Sequence, residues 1–262
     1  MTKRVAFFVY GAVCYVAFLA TFLYAVGFVG NLLVPKGLDS PPAKALWPAL
    51  GVDALLLTLF AVQHSVMARP WFKKRWTRVV PKAIERSTYV LCASAALALL
   101  MWQWQPLGGE VWTVDSAAAR TLLWALFAGG WLLVLVATFL INHFDLFGLR
   151  QVWLALRGVP YTHPHFGTPG PYRLVRHPLY LGFLFAFWAI PHMTVTHLVF
   201  ALSTTMYILV AIQLEEHDLV REHGEAYAAY RRSVPMLLPV SLGRRGGDAS
   251  DETGARDRTV SA

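Results

Sequence analysis

Long apolar stretches recur along the chain and alternate with short polar connections. The first four stretches are each close to the roughly twenty residues that a helix needs to cross a bilayer. Two more apolar stretches follow, separated by Pro191, and they predict a C-terminal helical hairpin. The predicted spans are residues 5–29, 48–67, 87–104 and 122–141, with hairpin arms at 179–190 and 193–214. The pattern predicts an all-α, polytopic integral membrane helical bundle of five to six membrane segments. The first hairpin arm is short for a full crossing, so the pattern leaves open whether it spans the bilayer.

Composition and charge placement agree with a membrane protein. Of the 262 residues, 56% are hydrophobic and 15% are charged, whereas soluble domains carry about a quarter charged residues. Residues 69–86 hold seven basic side chains and one acidic side chain, while the connection around Gly108 and Asp115 holds almost no basic residue. By the positive-inside rule, the basic connection and both termini are predicted to face the cytoplasm. The net charge of +8 fits topology and anionic headgroups better than nucleic acid, so no nucleic-acid partner is expected.

The connection before the hairpin, residues 142–176, is the longest in the bundle. The spacing of Phe144, Phe147, Gln151 and Leu154 predicts a short amphipathic helix at the interface. Prolines then break regular structure at Pro160, Pro164, Pro169 and Pro171. From residue 241 onward the chain is rich in Gly, Ser, Arg and Asp, which predicts a disordered cytosolic tail. The expected organisation is one membrane domain over residues 1–240 and a tail over residues 241–262.

Ionisable side chains lie before the first arm of the predicted hairpin and at the end of its second arm. Arg176, His177 and Tyr180 precede the first arm, and Glu215 and Glu216 end the second. Such groups are costly at the edge of a lipid-embedded hairpin unless they have a purpose, although they can also be interfacial anchors. Adjacent helical residues point about 100° apart, so at most one glutamate can aim into a shared site. The other is expected to pair with an arginine.

Two tyrosines follow on the predicted C-terminal helix. Tyr227 and Tyr230 are three residues apart and so share a face, where they either pack on the core or stack on a flat heterocycle. Together with a carboxylate, an arginine and a histidine, they suit a zwitterionic ligand that carries a purine. The sequence has no glycine-rich phosphate loop and no Cys-x-x-Cys or His-Glu-x-x-His motif, so no metal is predicted.

These residues match a family pattern. The order Arg176-His177-Pro178-x-Tyr180, then Glu215-Glu216, then Gly224-x-x-Tyr227-x-x-Tyr230 resembles the isoprenylcysteine carboxyl methyltransferase superfamily. The resemblance implies that the hairpin and a cytosolic capping segment hold S-adenosylmethionine at the cytoplasmic membrane face. It assigns cofactor binding to Arg176, His177, Tyr180, Glu215, Glu216, Tyr227 and Tyr230.

Residues 63–70, 142–151, 175–191 and 207–239 are similar to the bacterial membrane methanethiol S-methyltransferases. The similarity implies S-methylation of methanethiol to dimethyl sulfide in the bacterial inner membrane, with S-adenosylhomocysteine as co-product and a small thiol and the lipid bilayer as partners. No obligate protein partner is evident. Methyl transfer to sulfur needs a thiolate, so a nearby base or positive field helps. The first candidate for that catalytic role is His64, and the second candidates are His143 and Asp145. Gln63 and Asn142 are the candidate substrate-binding residues.

Three other interpretations stay open from the sequence. The methyl acceptor can instead be an isoprenylated or lipidic cysteine or carboxylate. A reductase of the sterol-reductase kind has a similar hairpin and requires NADPH. A structural or transport protein predicts no cofactor at all, but a transport path is expected to place polar residues near mid-membrane instead of at one face.

Overall fold

The computed structural model describes residues 1–163 and 167–239. The predicted tail and Pro164 lie outside these residues. The helices and strands, in chain order, are α1 (Thr2–Gly30), α2 (Leu46–Ala68), α3 (Pro70–Trp76), α4 (Lys82–Gln103), β1 (Glu110–Thr113), α5 (Ala117–Ile141), α6 (His143–Leu146), α7 (Leu149–Arg157), α8 (Pro178–Trp188), β2 (His192–Thr194), α9 (Val195–His223) and α10 (Glu225–Ser233). A short 3-10 turn, Gly170–Arg173, precedes α8.

Five of these helices are long and apolar enough to cross a membrane: α1, α2, α4, α5 and α9. They confirm the predicted polytopic helical membrane fold. Each agrees with one of the predicted spans to within nine residues at either end, and the extensions lie mainly where polar side chains continue the helix past the apolar stretch. The clearest case is α9, which runs on to His223 and carries Glu215 and Glu216 within a continuous helix.

The first hairpin arm reaches the far end of the bundle although α8 has only 11 residues. An 11-residue helix covers about 16 Å at 1.5 Å per residue, roughly half of the hydrocarbon thickness. The chain then continues in extended form to β2, which pairs antiparallel with β1. Because β1 lies between α4 and α5, at the end opposite Lys82, the arm runs the length of the bundle as a short helix plus an extended segment.

Small residues allow α8 to pack closely on α5. A Cβ atom placed on Gly182 would lie 2.7 Å from the carbonyl oxygen of Gly130, and one on Gly130 would lie 2.6 Å from that of Gly182. The two backbones therefore touch, as small-residue contacts between membrane helices permit. This contact fixes α8, whose first turn carries Tyr180.

A buried polar network closes the distal end, which we define as the end with β1 and β2. Asp39 accepts hydrogen bonds from Asn31 at 2.7 Å and from Thr194, and it contacts His197 Nδ1 at 3.1 Å. His197 is fully buried, and its Nε2 lies 2.9 Å from the carbonyl oxygen of Phe187. Burial opposes ionisation of Asp39, but the bonds from His197, Thr194 and Asn31 outweigh it and hold its pKa below the usual value.

At the opposite end, which we call the site end, the predicted amphipathic helix is present as two helices, α6 and α7. They are separated at Gly148, which has a φ of +85° and packs against Ser87 of α4. A Cβ atom there would lie 2.6 Å from the Ser87 backbone nitrogen, so both the conformation and the space favour glycine. The break was not predicted, because the apolar spacing runs through it.

Candidate functional site at the end of the hairpin

Glu216 is the centre of a buried cluster of ion pairs. It is 2% exposed, and its Oε1 lies 2.7 Å from Arg176 Nε and 3.0 Å from His177 Nε2. Its other oxygen lies 3.3 Å from Arg231 Nε on α10. A buried carboxylate needs such partners, because an unpaired buried charge is strongly destabilising. Of the two adjacent glutamates, Glu216 is therefore the one that pairs with arginine.

The same arginine ties the start of the hairpin to the chain after α10. Arg176 Nη1 donates to the carbonyl oxygen of Arg231 at 3.0 Å and to that of Val234 at 2.5 Å. The backbone nitrogens of Arg176 and His177 donate to Pro235 and Met236 at 2.9 and 3.1 Å. The segment after α10 thus folds back over the residues that precede α8, as expected for a capping segment.

Glu215 has a different environment from its neighbour. It accepts a hydrogen bond of 2.9 Å from the Tyr180 hydroxyl, and among the described residues it forms no ion pair. It is partly exposed. The phenols of Tyr89 and Tyr172 lie within electrostatic range of its charge. A carboxylate surrounded by phenols, with no cation of its own, can accept hydrogen bonds from hydroxyl groups and attract a positively charged ligand.

The C-terminal tyrosines lie beside this carboxylate pair. Tyr227 and Tyr230 have ring centroids 5.8 Å apart, so they share a face of α10 as predicted. Tyr227 is buried, while the Tyr230 hydroxyl donates to the carbonyl oxygen of Tyr172 at 2.6 Å. Burial, more than the neighbouring charges, raises the pKa of Tyr230 to about 12. The phenol is therefore a neutral donor that joins α10 to the turn before α8.

His64 lies near the end of α2 and contacts α4. Its ring stacks on Phe60 at 5.3 Å, and both ring nitrogens lie 3.1 Å from the hydroxyl oxygen of Tyr89. Arg69 and Arg86 both act electrostatically on the ring. Tyr89 is thus in hydrogen-bond contact with His64, and it also lies within electrostatic range of Glu215.

Gln63 precedes His64 and keeps one polar atom free. Its Nε2 contacts the sulfur of Met67 at 3.1 Å, while its buried Oε1 has no partner among the described residues. A buried amide oxygen without a partner costs free energy, which a ligand that donates a hydrogen bond can recover. Gln63 thus has an acceptor available beside the histidine.

Arg69 holds the end of α2 against α9. Its Nη1 forms a salt bridge of 2.8 Å with Asp218 and a 3.1 Å hydrogen bond to the carbonyl oxygen of Leu214. Leu214 and Asp218 flank the two glutamates on α9. The helix that carries Gln63 and His64 is therefore in direct contact with the helix that carries Glu215 and Glu216.

The second group of candidates forms a separate cluster around α6. His143 is buried, and its ring bonds to the Tyr15 hydroxyl at 2.9 Å and to Thr138 Oγ1 at 2.8 Å. Burial lowers the pKa of His143. Asn142 caps α6 by accepting from the Asp145 backbone nitrogen at 3.2 Å. No described hydrogen bond joins this cluster to His64.

Asp145 is already committed to structural partners. It forms a 2.8 Å salt bridge with Arg150 and accepts a 3.1 Å hydrogen bond from Tyr161. These contacts fasten the connection after α7 to the end of α5. The cluster touches the site through Arg86, whose Nε donates to the carbonyl oxygen of Leu146 at 2.8 Å.

Sequence reasoning missed Tyr89 and Tyr172, which complete the surroundings of Glu215. Tyr89 lies inside the third apolar stretch, where an aromatic residue is ordinary, and only its place one turn after Arg86 sets it apart. Tyr172 lies among prolines and offers no periodic signal. Neither residue has a neighbour in sequence that indicates its partner.

The fold and this site define a class: a polytopic helical membrane protein with a polar, carboxylate-containing site at one end of its C-terminal hairpin. The profile of the NnrU protein family matches residues 54–243. The chain is 57% identical over 237 residues to methanethiol S-methyltransferase of Crocosphaera subtropica, which covers 90% of this chain and 93% of that protein. It is 56% identical over 237 residues to methanethiol S-methyltransferase of Mycobacterium tuberculosis, with 90% and 97% covered.

Methanethiol S-methyltransferase 2 of Bradyrhizobium diazoefficiens is 52% identical over 248 residues, which are 95% of each chain. No solved structure matches the chain significantly. The chain belongs to the NnrU protein family, and the resemblance to bacterial methanethiol S-methyltransferases that the sequence motifs predicted is confirmed by these relatives.

Proposed function

We propose that this chain transfers a methyl group from S-adenosylmethionine to methanethiol, giving dimethyl sulfide and S-adenosylhomocysteine. Three relatives at 52–57% identity are named methanethiol S-methyltransferases. The observation that supports the proposal is the contact of Arg69 with Leu214 and Asp218, which holds the end of α2, with His64, against the part of α9 that carries Glu215. Methyl transfer between two sulfur atoms needs a group that activates the thiol and a group that attracts the sulfonium donor.

The donor side consists of the carboxylate pair and its neighbours. S-adenosylmethionine, when bound, supplies an electrophilic methyl group on a positively charged sulfur. Glu215 suits that ligand, because its carboxylate has no cation among the described residues and is surrounded by phenols. Arg176, His177 and Glu216 form the wall behind it. The remaining assigned residues, Tyr180, Tyr227 and Tyr230, orient Glu215 and line the cytosolic edge.

The acceptor side is assigned to α2. His64 accepts the thiol proton at a ring nitrogen, and the positive charges of Arg69 and Arg86 stabilise the thiolate that results. Gln63 first holds the incoming thiol by accepting its S–H hydrogen bond at the free Oε1, and the same proton then passes to His64. His143 and Asp145 remain second candidates for the base, and Asn142 for substrate binding. The partners that they already hold favour His64 and Gln63 over them.

We further propose that the protein lies in the bacterial inner membrane with the site end toward the cytoplasm. The basic residues between α2 and α4 support this orientation. A charged donor enters from the cytosol, while an apolar, volatile thiol enters from the bilayer. No metal, nucleic acid or second protein is required by this scheme.

The proposal is tested with purified protein in lipid nanodiscs. Dimethyl sulfide should form from methanethiol only when S-adenosylmethionine is present. His64→Ala should lower kcat by roughly a hundredfold, the usual contribution of a positioned acid–base group. Glu215→Gln should raise the KM for S-adenosylmethionine about tenfold, because it removes a charge-assisted contact.

The matched control is Glu225→Gln on α10, whose exposed carboxylate pairs only with Arg232 among the described contacts. Its kinetics should stay within twofold of the unsubstituted protein. Folded protein that makes no dimethyl sulfide, or that methylates a prenylcysteine analogue faster than methanethiol, would contradict the proposed acceptor.

A further inference from the structure

We infer that Tyr89 is a positioning residue that holds the His64 ring in the form able to accept a proton. This inference rests on the proposed function, because it assigns a role beside the proposed base. It begins from the contact already described, in which one phenol oxygen lies 3.1 Å from both ring nitrogens of His64. No other side-chain hydrogen bond to this ring is found among the described residues.

The direction of the hydrogen bonds follows from what each group can do. The Tyr89 hydroxyl also lies 3.4 Å from the backbone carbonyl oxygen of His64, which can only accept. When the phenol donates to that carbonyl, its oxygen accepts the N–H of one ring nitrogen. The second ring nitrogen then keeps its lone pair. A neutral imidazole in this state can take a proton from a thiol.

The Tyr89 ring is itself in contact with Arg86. The guanidinium carbon of Arg86 lies 5.2 Å from the centroid of the Tyr89 ring. Arg86 Nε in turn donates to the carbonyl oxygen of Leu146 at 2.8 Å, at the end of α6. A continuous series of contacts therefore runs from α6 through Arg86 and Tyr89 to His64.

This series gives the α6 region a role that does not require contact with substrate. Asp145 and Asn142 hold the turn that presents the Leu146 carbonyl oxygen to Arg86. Asn142 and Asp145 belong to a stretch that is similar to the family, and their role in holding Arg86, and through it Tyr89, explains their presence there. In serine proteases a buried carboxylate orients the catalytic histidine. Here a neutral phenol occupies that place, which suits a site where Arg69 and Arg86 already supply the charge.

The experiment is a double-mutant cycle on kcat, with Tyr89→Phe, His64→Ala and both together. Tyr89→Phe removes one oxygen atom and keeps the ring under Arg86. It should lower kcat roughly tenfold, which equals about 1.4 kcal/mol in the barrier, and leave the KM for methanethiol within twofold. In the His64→Ala background it should have no further effect, because Tyr89 acts only through that ring.

The matched control is Tyr24→Phe, which removes a hydroxyl that donates at 3.1 Å to the Lys36 carbonyl oxygen near the distal end. It should leave kcat and KM unchanged. Losses from Tyr89→Phe and His64→Ala that multiply in the double variant would show independent roles and overturn the inference. So would an unchanged kcat in Tyr89→Phe when the unsubstituted protein is active. An unsubstituted protein that is folded but makes no dimethyl sulfide would instead refute the proposed function.

Discussion

The contact between α5 and α8 gives a prediction whose size follows from the structure. Gly130→Ala adds a Cβ atom 2.6 Å from the carbonyl oxygen of Gly182 and 2.7 Å from the backbone nitrogen of Ala186. Carbon atoms prefer separations of roughly 3.5–4.0 Å. Backbone atoms cannot rotate away, so α8 must move off α5 by about 1 Å. Tyr180 lies two residues before Gly182 and moves with it, which perturbs its hydrogen bond to Glu215.

Overpacking of this kind costs about 1–3 kcal/mol, and the better helix propensity of alanine returns up to about 1 kcal/mol. We expect a net destabilisation of about 1–2 kcal/mol. In a chain of this size, each kcal/mol lowers Tm by roughly 2–4 °C. The assay is thermal unfolding in detergent, followed by tryptophan fluorescence, with dimethyl sulfide formation measured on the same samples.

Gly129→Ala is the matched control, because a Cβ atom on Gly129 meets nothing within 4 Å. The two variants make the same chemical change one residue apart on α5. Gly129→Ala should leave Tm unchanged or slightly raised and should keep full activity. Equal Tm values for the two variants would refute the close contact between α5 and α8.

Three more predictions concern the charged groups. Glu216→Ala should lower the free energy of unfolding by about 3 kcal/mol, because it leaves the nearly buried Arg176 side chain without its counter-charge. An unchanged unfolding midpoint in denaturant would contradict this. Asp145→Asn should lower the free energy of unfolding by about 1 kcal/mol by weakening the bond to Arg150; the loss should be smaller in an Arg150→Ala background, where this salt bridge is already absent, and an equal loss in both backgrounds would argue against the pair. Asp39 contributes stability above its unfolded pKa of about 3.9, and the contribution is lost as pH falls through its lowered folded pKa. Asp39→Asn should therefore flatten Tm against pH in the acid range, and an unflattened profile would exclude this origin.

The sequence allowed the helices to be predicted well, because lipid imposes a strong constraint on length and polarity. All five long spans were expected from apolar stretches alone. The distal sheet was not expected, because β1 and β2 are four and three residues long and their pairing joins residues about 80 positions apart. That pairing shows that the first hairpin arm reaches the distal end of the bundle.

The site was only partly predictable for a similar reason. Adjacent glutamates indicated that one would pair with arginine, but helical geometry alone could not say that Glu216 was the one. His64, Tyr89 and Glu215 lie on three different helices, and no local pattern connects them. Their positions relative to one another depend on how α2, α4 and α9 pack, which hydrophobic periodicity does not specify.

The most direct test of the central claim is binding of S-adenosylmethionine to the purified protein by calorimetry, with and without Glu215→Gln. The account predicts one site per chain, weakened about tenfold by Glu215→Gln and unaffected by Glu225→Gln. Absence of binding to folded, unsubstituted protein, or equal affinity in all three proteins, would contradict a methyl-donor site at the end of the hairpin.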